Sequence, residues 1–295
     1  MSMAIIANPL AGRGRGKQTA ERVKQLLTER SIDFEMMYTK YHRHGIELAY
    51  EASSKHELVV ALGGDGTIGE VLEGIWETSS TLGIIPGGTG NDYARGLGIP
   101  RNLEEALQVL LDKNTVSLDV GVEKDKVFGV LASIGFPAHV IQHVNNNRNG
   151  IFKGSLAILA GLVSTLRSLQ SYPIKISIDG MVMEKNVVGV FLMNMPYGGG
   201  GLKFAPQARF NDGHFSIVIV EEVGKLDLAL TLPKVYFGKH TSHPAVTILT
   251  GQEVEIESEP LVRMFDGDMC GTTPLKAKII PHAAQVVVPK PLDQP

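Results

Sequence analysis

Cysteine is almost absent from this sequence, because Cys270 is the only one among 295 residues. A single thiol excludes an internal disulfide framework and is consistent with a reducing compartment. The sequence also lacks a long basic run, and its formal net charge is −3. Without a basic field, little in the chain would attract the phosphates of nucleic acid. We therefore expect a cytoplasmic protein that has no nucleic-acid partner.

Long apolar runs are missing as well. The most apolar long segment, Gly154 to Leu166, is shorter than the ~20 residues of a membrane-spanning helix. We therefore expect no transmembrane segment. We interpret the surrounding residues 151–170 as a helix that packs against the protein, with membrane contact as its second interpretation. The apolar stretch near the N-terminus follows no basic residues, which is unlike a secretory signal.

The order of strand and helix patterns divides the chain near residues 122–126. Before this point, strands and helices alternate over about 120 residues with short connections, which is typical of a parallel α/β sheet. One predicted helix spans residues 68–77, and another follows Asn102, whose side chain is placed to cap it. After the junction, short strand patterns follow one another with few helices between them, which favours an antiparallel second domain.

Glycine-rich turns follow three of the predicted strands. The first turn, "NPLAGRGRGKQ", begins at Asn8 and has some likeness to a Walker A loop. That assignment fails because Ala11 replaces the first glycine and Gln18 replaces the residue that ligates magnesium. Two interpretations stay open, a turn whose backbone N–H groups attract an anion and an ordinary solvated turn.

The second turn, "GGDGTIG", has the spacing G-x-G-x-x-G of dinucleotide-binding turns at Gly64, Gly66 and Gly69. Asp65 would place its charge against a pyrophosphate there, which is unfavourable unless a metal ion lies between them. The next strand ends in Pro86 and supplies no acid for a ribose. These residues favour a metal-bound nucleotide over a nicotinamide cofactor.

The third turn, "PGGTGNDYAR", supplies the hydroxyl group of Thr89 and the polar side chains of Asn91 and Asp92. Loops at the ends of successive strands converge on one crevice in a doubly wound sheet. A phosphate with its magnesium ion would suit such a crevice. The alternative is that the glycines of the second and third turns serve only tight backbone geometry.

Taken in order, "NPLAG", "GGDGT" and "PGGTGNDYAR" resemble the nucleotide-binding half of the diacylglycerol kinase and sphingosine kinase superfamily, most closely its soluble bacterial lipid kinases. The resemblance continues through "GGGLKFAPQARFNDGHFSIVIV" and "MFDGDMC", so it covers almost the whole chain. It implies an α/β fold with a Rossmann-like N-terminal domain, similar to those of NAD kinases and phosphofructokinases, over residues 1–123. It implies an antiparallel β-sandwich domain over residues 124–283, with residues 284–295 able to return to the first domain.

The resemblance also implies ATP and Mg²⁺ as cofactors. Asp65 would help to hold the magnesium ion of the nucleotide. A second metal site is implied at Asp212, completed by the carbonyl oxygens of Arg209 and His214; the residues alone indicate a turn between strands there. The ATP contacts implied by the resemblance fall on Asn8, Pro9, Leu10, Ala11, Gly12, Thr39, Gly63, Gly64, Asp65, Gly66, Thr67, Ile68, Gly69, Glu70 and Thr89.

Phosphoryl transfer further needs a carboxylate that accepts the proton of the lipid hydroxyl group. The resemblance gives this role to Asp268, with Asp266 beside it and Asp65 acting through magnesium. The family usually has Glu where this chain has Asp268. A reach that is about 1 Å short can lower a rate by ~10²-fold. A shifted backbone, a relaying water molecule or reduced activity would each be consistent with the shorter side chain.

We therefore predict an ATP-dependent lipid kinase that phosphorylates diacylglycerol or a related lipid and gives phosphatidic acid or its analogue. Its lipid substrate would lie at the membrane surface, so the protein would be cytoplasmic and peripherally membrane-associated; a homodimer stays open. One alternative is an NAD kinase-like phosphotransferase, since those enzymes also resemble "GGDGT". Another is a lipid- or nucleotide-binding protein weakened in catalysis through Asp268. A nicotinamide oxidoreductase would be predicted only if the second turn were considered without the residues around it.

Overall fold

The computed structural model describes residues 2–135 and 169–290, which divide into two compact units. The first unit comprises Met1–Val120 and His282–Pro295, and the second comprises Gly121–Pro281. Nearly all of the predicted helix 151–170 lies outside the described residues. Among the residues that are described, no helix is long and apolar enough to cross a membrane.

The first unit alternates strands with helices, as the sequence pattern predicts. Three of its strands are short apolar runs that are almost wholly buried, and its long helices bury one stripe of their surface, as α2 does through Val23, Leu26 and Leu27. The strands are β1 (Met3–Ala7), β2 (Glu35–Tyr38), β3 (Leu58–Gly63), β4 (Thr81–Pro86) and β5 (Thr115–Glu123). The helices are α1 (Ala11–Gly14), α2 (Gly16–Glu29), α3 (His44–Ser53), α4 (Asp65–Ile75), α5 (Asp92–Gly96) and α6 (Leu103–Asp112).

The parallel sheet of this unit has the order β2-β1-β3-β4, and the end of the last strand, β15 (Leu275–Val287), continues it. Gln285 of that strand pairs in parallel with Thr81 of β4. Strand β1 has β2 on one side and β3 on the other. The chain therefore changes direction across the sheet between β1 and β3, and the loops that follow these strands flank the crevice where such sheets bind ligands.

Two helix starts illustrate local and tertiary control. The Asn102 side chain caps α6 as predicted, since its Oδ1 accepts hydrogen bonds from the N–H groups of Glu104 and Glu105 at 2.9 and 3.1 Å. Helix α4, in contrast, begins at Asp65 and not at Ile68 as the apolar periodicity predicts. Its first turn contains glycine, which has low helix propensity and gives no apolar signal.

The second unit consists mainly of strands. Where its residues are described, its helical elements are α7 (Lys225–Val235) and a 3₁₀ helix over Lys239–Ser242. Its strands, besides the end of β5 and the start of β15, are β6 (Lys126–Phe128), β7 (Leu131–Gly135), β8 (Tyr172–Ile178), β9 (Met181–Met193), β10 (Phe215–Glu221), β11 (Val246–Gly251), β12 (Glu253–Ser258), β13 (Val262–Phe265) and β14 (Asp268–Thr272).

Within the described part of this unit, the paired strands are all antiparallel, in the order β14-β13-β7-β9-β8-β12-β15, with β10 between β9 and β11. Phe128, Phe215 and Phe265 lie in its apolar core, where the Phe128 ring is 5.6 Å from that of Phe215 and 5.5 Å from that of Phe265. The predicted combination of an α/β first domain with an antiparallel β second domain is confirmed.

Candidate functional site

The glycine-rich turns become three loops at the carboxyl-terminal edge of the parallel sheet. Each follows a buried strand, so each brings main-chain groups to the same edge. The loops at β1 and β3 lie at the point where the sheet changes direction, and the loop at β4 adjoins them. They are named here loop 1 (residues 8–15), loop 2 (63–67) and loop 3 (86–92).

Glycines allow the main chains of the three loops to touch. A Cβ atom on Gly12 would lie 2.6 Å from the carbonyl oxygen of Gly87, and one on Gly88 would lie 2.5 Å from Cα of Gly64. The N–H group of Gly87 also donates a hydrogen bond to the carbonyl oxygen of Gly63 at 2.7 Å. A larger residue at Gly12 or Gly88 would push the loops apart, so the surface of this site is formed largely by main chain.

Asn8 connects loop 1 to loop 2. Its side-chain Nδ2 donates to Oγ1 of Thr67 at 3.2 Å, and its Oδ1 accepts from the N–H group of Leu10 at 3.0 Å. Thr67 is buried against Gly63, where a Cβ atom would lie 2.6 Å from the threonine Oγ1. Asn8 and Thr67, which the family resemblance predicts to contact ATP, thus hold the loops in position.

Gly66 differs from the other glycines of loop 2. It is exposed, its φ is outside the left-handed region, and a Cβ atom there would meet nothing within 4 Å apart from its chain neighbours and the nearby backbone of its own helix. Neither packing nor backbone conformation therefore requires glycine at this position. Gly66 lies in the first turn of α4, where backbone N–H groups have no intrahelical acceptor and attract anions. The open space above it suits a phosphate group.

Asp65 connects loop 2 to loop 3. Its Oδ1 accepts a hydrogen bond from the N–H group of Tyr93 at 3.1 Å, at the start of α5. Burial raises the pKa of the Asp65 carboxyl above its ordinary value of 3.8, and nearby backbone N–H groups, including that of Tyr93, offset part of this rise. The side chain thus caps a helix, which the sequence does not indicate. The magnesium role assigned to Asp65 stays a prediction.

Loop 3 is closed on itself by Asn91. This buried residue has a φ of 55°, and its Oδ1 accepts a hydrogen bond from the N–H group of Gly88 at 2.9 Å. Its Nδ2 returns a bond to the Gly88 carbonyl oxygen at 3.2 Å, and Nε of Arg95 donates to the carbonyl oxygen of Gly90 at 3.1 Å. Thr89 remains exposed between these closures. Its hydroxyl group is therefore available to a ligand.

Glu70 has a structural contact that sequence reasoning missed. Its carboxylate accepts hydrogen bonds from the N–H groups of Arg43 and Gly45, both at 2.9 Å, and so caps α3. Thr39 is buried at the end of β2, and the side chain of Ile68 is fully buried on α4. Only the main chain of Ile68 could therefore contact a nucleotide. The remaining predicted contacts lie on loop 1 and α4, at Pro9, Leu10, Ala11 and Gly69.

In the second unit, Asp266 binds a turn of main chain. Its Oδ2 accepts from the N–H group of Gly129 at 2.8 Å, and its Oδ1 accepts from those of Val130 and Leu131 at 3.0 and 2.8 Å. With φ values of 46° and 95°, Asp266 and Gly267 form the two-residue turn between β13 and β14. This conformation matches the type I′ hairpin turn that Asp-Gly favours. Asp266 therefore fixes the hairpin to the connection between β6 and β7.

Asp268 lies in a different environment two residues further on. It is the first residue of β14, is paired with Phe265 across the hairpin, and is exposed. The two aspartates that the sequence groups together thus have separate surroundings. Asp266 accepts hydrogen bonds from three main-chain N–H groups, whereas Asp268 is exposed.

Two side chains that the sequence does not single out support this hairpin. Nη1 of Arg263 lies 2.6 Å from the buried carboxylate of Glu123, and its Nε donates to the Cys270 carbonyl oxygen at 3.1 Å. Asn194 is fully buried, and its Nδ2 donates to the carbonyl oxygen of Gly129 at 2.9 Å. In the sequence, these residues could have been noticed as a charged or amide side chain within an apolar strand pattern. Such a pattern does not show which residue the side chain contacts.

The predicted second metal site lies in an exposed turn before β10. Arg209, Asp212 and His214 are all exposed there, and Oδ1 of Asp212 accepts from the N–H group of His214 at 3.1 Å. In the described ranges, 2–135 and 169–290, no group of three or more His, Cys, Asp or Glu side chains is arranged to hold a metal ion. A cation in this turn would depend on carbonyl oxygens beside Asp212, and the site stays a prediction.

Comparison with protein families gives a match to each part of the chain. Residues 2–122 match the family described as the diacylglycerol kinase catalytic domain. Residues 130–288 match the family described as the YegS C-terminal NAD kinase beta sandwich-like domain. The second description agrees with the predicted β-sandwich, and the predicted division after residue 123 falls between the two matched ranges.

Individual relatives align along nearly the full chain. A diacylglycerol kinase of Mycobacterium tuberculosis is 31% identical over 300 residues, covering 98% of this chain and 95% of that protein. One of Staphylococcus haemolyticus is 28% identical over 293 residues, covering 97% of this chain and 88% of that protein. The crystal structure of a diacylglycerol kinase from Bacillus anthracis has a TM-score of 0.81 at 26% identity, covering 98% of this chain and 96% of that one.

The different surroundings of the two aspartates predict different costs of substitution. Asp266→Ala removes the acceptor for three partly buried backbone N–H groups. We expect it to lower the free energy of unfolding by about 3 kcal/mol. Asp268→Ala, the control on the same hairpin, changes an exposed residue, where a polar contact contributes about 1 kcal/mol or less, so it should cost clearly less than Asp266→Ala. Urea denaturation followed by circular dichroism measures both, and equal losses would contradict the structural role of Asp266.

The raised pKa of Asp65 predicts a pH dependence with a definite sign. The folded state holds the Asp65 proton more tightly than the unfolded state, whose pKa is near the ordinary 3.8. This contribution to stability is therefore complete below that pH and is lost as the pH rises through the folded-state pKa. Asp65→Asn keeps an acceptor for Tyr93 but cannot titrate.

We therefore expect the unfolding free energy of wild type, minus that of Asp65→Asn, to fall as the pH is raised from below 3.8 toward neutrality. The measurement is urea denaturation of both proteins over a pH series, without nucleotide or divalent cations. Because other groups titrate alike in the two proteins, they cancel in the difference. A difference that stays flat or rises with pH would show that burial does not govern this carboxyl.

Proposed function

This chain belongs to the family defined by the diacylglycerol kinase catalytic domain, and on that premise we propose that it is an ATP-dependent lipid kinase. It would transfer the γ-phosphoryl group of ATP to the hydroxyl group of diacylglycerol or a related lipid, giving phosphatidic acid or its analogue. The observation that supports this proposal best is the open first turn of α4 at Gly66, in a site otherwise closed by packed glycines.

Nucleotide binding is proposed for the three loops of the first unit. Main-chain contact between their glycines brings the three loops together, and the N-terminus of α4 favours negative charge. A phosphate above Gly66 would meet this helix N-terminus without displacing a side chain. The exposed hydroxyl group of Thr89 can donate a further hydrogen bond from loop 3.

Magnesium is proposed to accompany ATP, as phosphoryl transfer requires a cation that neutralises charge on the phosphates. Asp65 fits this role by its chemistry, since Mg²⁺ prefers carboxylate oxygens. Burial favours the neutral form of this carboxyl, and a cation beside it would favour the charged form. We also propose Asp212, with the carbonyl oxygens of Arg209 and His214, as a second magnesium site.

Asp268 is the proposed acceptor of the proton from the lipid hydroxyl group. Its carboxylate is exposed, and its main-chain position is fixed by the turn that Asp266 binds. A fixed position matters because general-base catalysis depends on reach as well as on pKa. Asp266 is then a positioning residue and not a proton acceptor. Peripheral contact with the membrane is part of this proposal, and a homodimer stays a prediction from the sequence.

The open space at Gly66 gives a first test. Gly66→Ala places a methyl group where nothing lies within 4 Å apart from its chain neighbours and the nearby backbone of its own helix, so the unfolding free energy should stay near that of wild type. The same methyl group would occupy the proposed phosphate space, and we expect ATP to bind at least about tenfold more weakly. Titration calorimetry with ATP and Mg²⁺ measures the affinity.

Gly63→Ala is the matched control for this test. Its Cβ atom would lie 2.6 Å from Oγ1 of Thr67, so this variant should lose stability, unlike Gly66→Ala. Unchanged ATP affinity in a stable Gly66→Ala protein would contradict the placement of the phosphates at α4.

The reaction itself is tested with ATP radiolabelled at the γ-phosphate. The acceptors are diacylglycerol, ceramide, sphingosine, phosphatidylglycerol and NAD, each offered separately, with lipids dispersed in detergent. We expect label on a lipid, and a rate about 10²- to 10⁴-fold lower in Asp268→Ala. Asp268→Glu restores the side chain that the family usually has and should retain at least wild-type activity.

Asp125→Ala serves as the control, because Asp125 is also an exposed aspartate at a hairpin turn of the second unit. It should not change the rate. Label on NAD alone would replace the lipid kinase with an NAD kinase-like enzyme. Lipid or nucleotide binding without transfer of label to any acceptor would indicate a binding protein.

A further inference from the structure

Helix α7 has apolar side chains on its exposed side as well as on its buried side. Leu232 and Val235 are buried against the second unit. Leu226, Leu230 and Phe237, in contrast, are 74%, 64% and 76% exposed. A surface helix normally presents polar residues to water, and one that is apolar all round normally lies in contact with a further apolar phase.

The exposed apolar residues lie along one line of the helix. Leu226 and Leu230 are four residues apart, and Phe237 follows seven residues later, just past the end of the helix. At 3.6 residues per turn, these positions share one side, and Pro233 lies between them. The buried Leu232 and Val235 point to the opposite side. The exposed line is thus a continuous apolar stripe and not scattered single residues.

Basic residues border this stripe. Lys234 and Lys239 are exposed beside it, and Lys225 is exposed at the start of the helix. The acidic residue of the helix, Asp227, lies 3.1 Å from His243. Helix α7 and the residues just after it thus carry three lysines and one acidic residue. We name these residues together the α7 patch, consisting of Leu226, Leu230, Pro233 and Phe237 with Lys225, Lys234 and Lys239.

We propose that the α7 patch docks the protein onto an anionic lipid surface. An apolar stripe with a basic border matches the boundary between acyl chains and negatively charged headgroups. The side chains of Leu226, Leu230 and Phe237 enter the acyl region, while Lys234 and Lys239 contact headgroups. The proposed lipid kinase function explains what such docking would serve, since it would bring the enzyme to its substrate. The docking itself does not depend on that function.

A second copy of the chain fits the α7 patch less well. In a two-fold dimer the same patch faces itself, so the lysine borders of the two copies would approach one another. The stripe contains four side chains, whereas a stable interface contributes about 20 to 30 residues from each partner. Charge and size therefore both favour a lipid surface.

Vesicle sedimentation of the full-length protein without ATP tests the proposal. The vesicles contain phosphatidylcholine alone or phosphatidylcholine with phosphatidylglycerol. We expect wild type to bind the anionic vesicles and bind them less at high salt. The double variant Leu226→Asp/Leu230→Asp should bind at least about tenfold more weakly, because charged side chains would have to enter the acyl region.

Met181→Asp/Val182→Asp is the matched control for this variant. Met181 and Val182 are 70% and 55% exposed at the turn between β8 and β9, and the change in charge is the same. It adds the same two negative charges but leaves the apolar stripe intact. Its binding should therefore stay within about twofold of wild type. Equal losses in the two double variants would overturn the proposal, as would no binding of wild type to anionic vesicles.

Lys234→Gln/Lys239→Gln provides a second variant that leaves the apolar stripe intact. We expect about fivefold weaker binding to anionic vesicles for each lysine removed. Its binding to phosphatidylcholine vesicles should not change. An unchanged affinity for anionic vesicles would remove the role of the basic border and overturn the proposal. Circular dichroism and urea denaturation check that each variant remains folded.

Two further measurements separate this inference from the proposed function. Activity on detergent-dispersed diacylglycerol should be unchanged in Leu226→Asp/Leu230→Asp, because no bilayer is needed there. If wild type labels no lipid even in detergent, the proposed kinase function is wrong, whatever the result of the vesicle experiment. Light scattering during gel filtration detects a dimer. A wild-type dimer that Leu226→Asp/Leu230→Asp converts to a monomer would replace the lipid surface with a second copy.

Discussion

Close contact between the main chains of three loops is the constraint on which the candidate nucleotide site depends. Gly12 and Gly63 each lie against Gly87 of loop 3, and Gly64 lies against Gly88. A side chain at Gly12 or Gly88 would overlap a neighbouring main chain. With the loops packed in this way, the N-terminus of α4 lies at the site, which suits an anion more than an apolar ligand.

Three acidic residues that the sequence assigns to nucleotide or catalysis bind main-chain N–H groups in the structure. Asp65 caps α5, Glu70 caps α3, and Asp266 binds the connection between β6 and β7. A carboxylate stabilises such a turn because it accepts several donors that would otherwise lie partly buried without partners. Asp268 is exposed at the surface of its hairpin. Acidic residues of one family pattern therefore differ in this structure, because three of them hold main chain in position and Asp268 is exposed.

Helix α7 also has one side that packs against the protein and one that is exposed. The buried side of this helix packs against the second unit, whereas its exposed side presents Leu226, Leu230 and Phe237 to the surroundings. Periodicity alone gives no clear stripe for such a helix, since apolar residues occur on both sides. The sequence therefore directed attention to the more apolar segment 151–170. Only the burial of individual side chains distinguishes the two faces of α7.

The sequence by itself determined the alternation of strands and helices, the cap at Asn102 and the glycine positions, because each depends on neighbouring residues along the chain. The family resemblance, later supported by matches along nearly the full chain, extended this to the fold of both parts. The tertiary structure decided which glycines are required by packing and that Gly66 is not. It also decided that Asp266 and Asp268, two residues apart, have different environments. These features depend on residues distant in sequence, such as Gly129, and local patterns contain no information about such contacts.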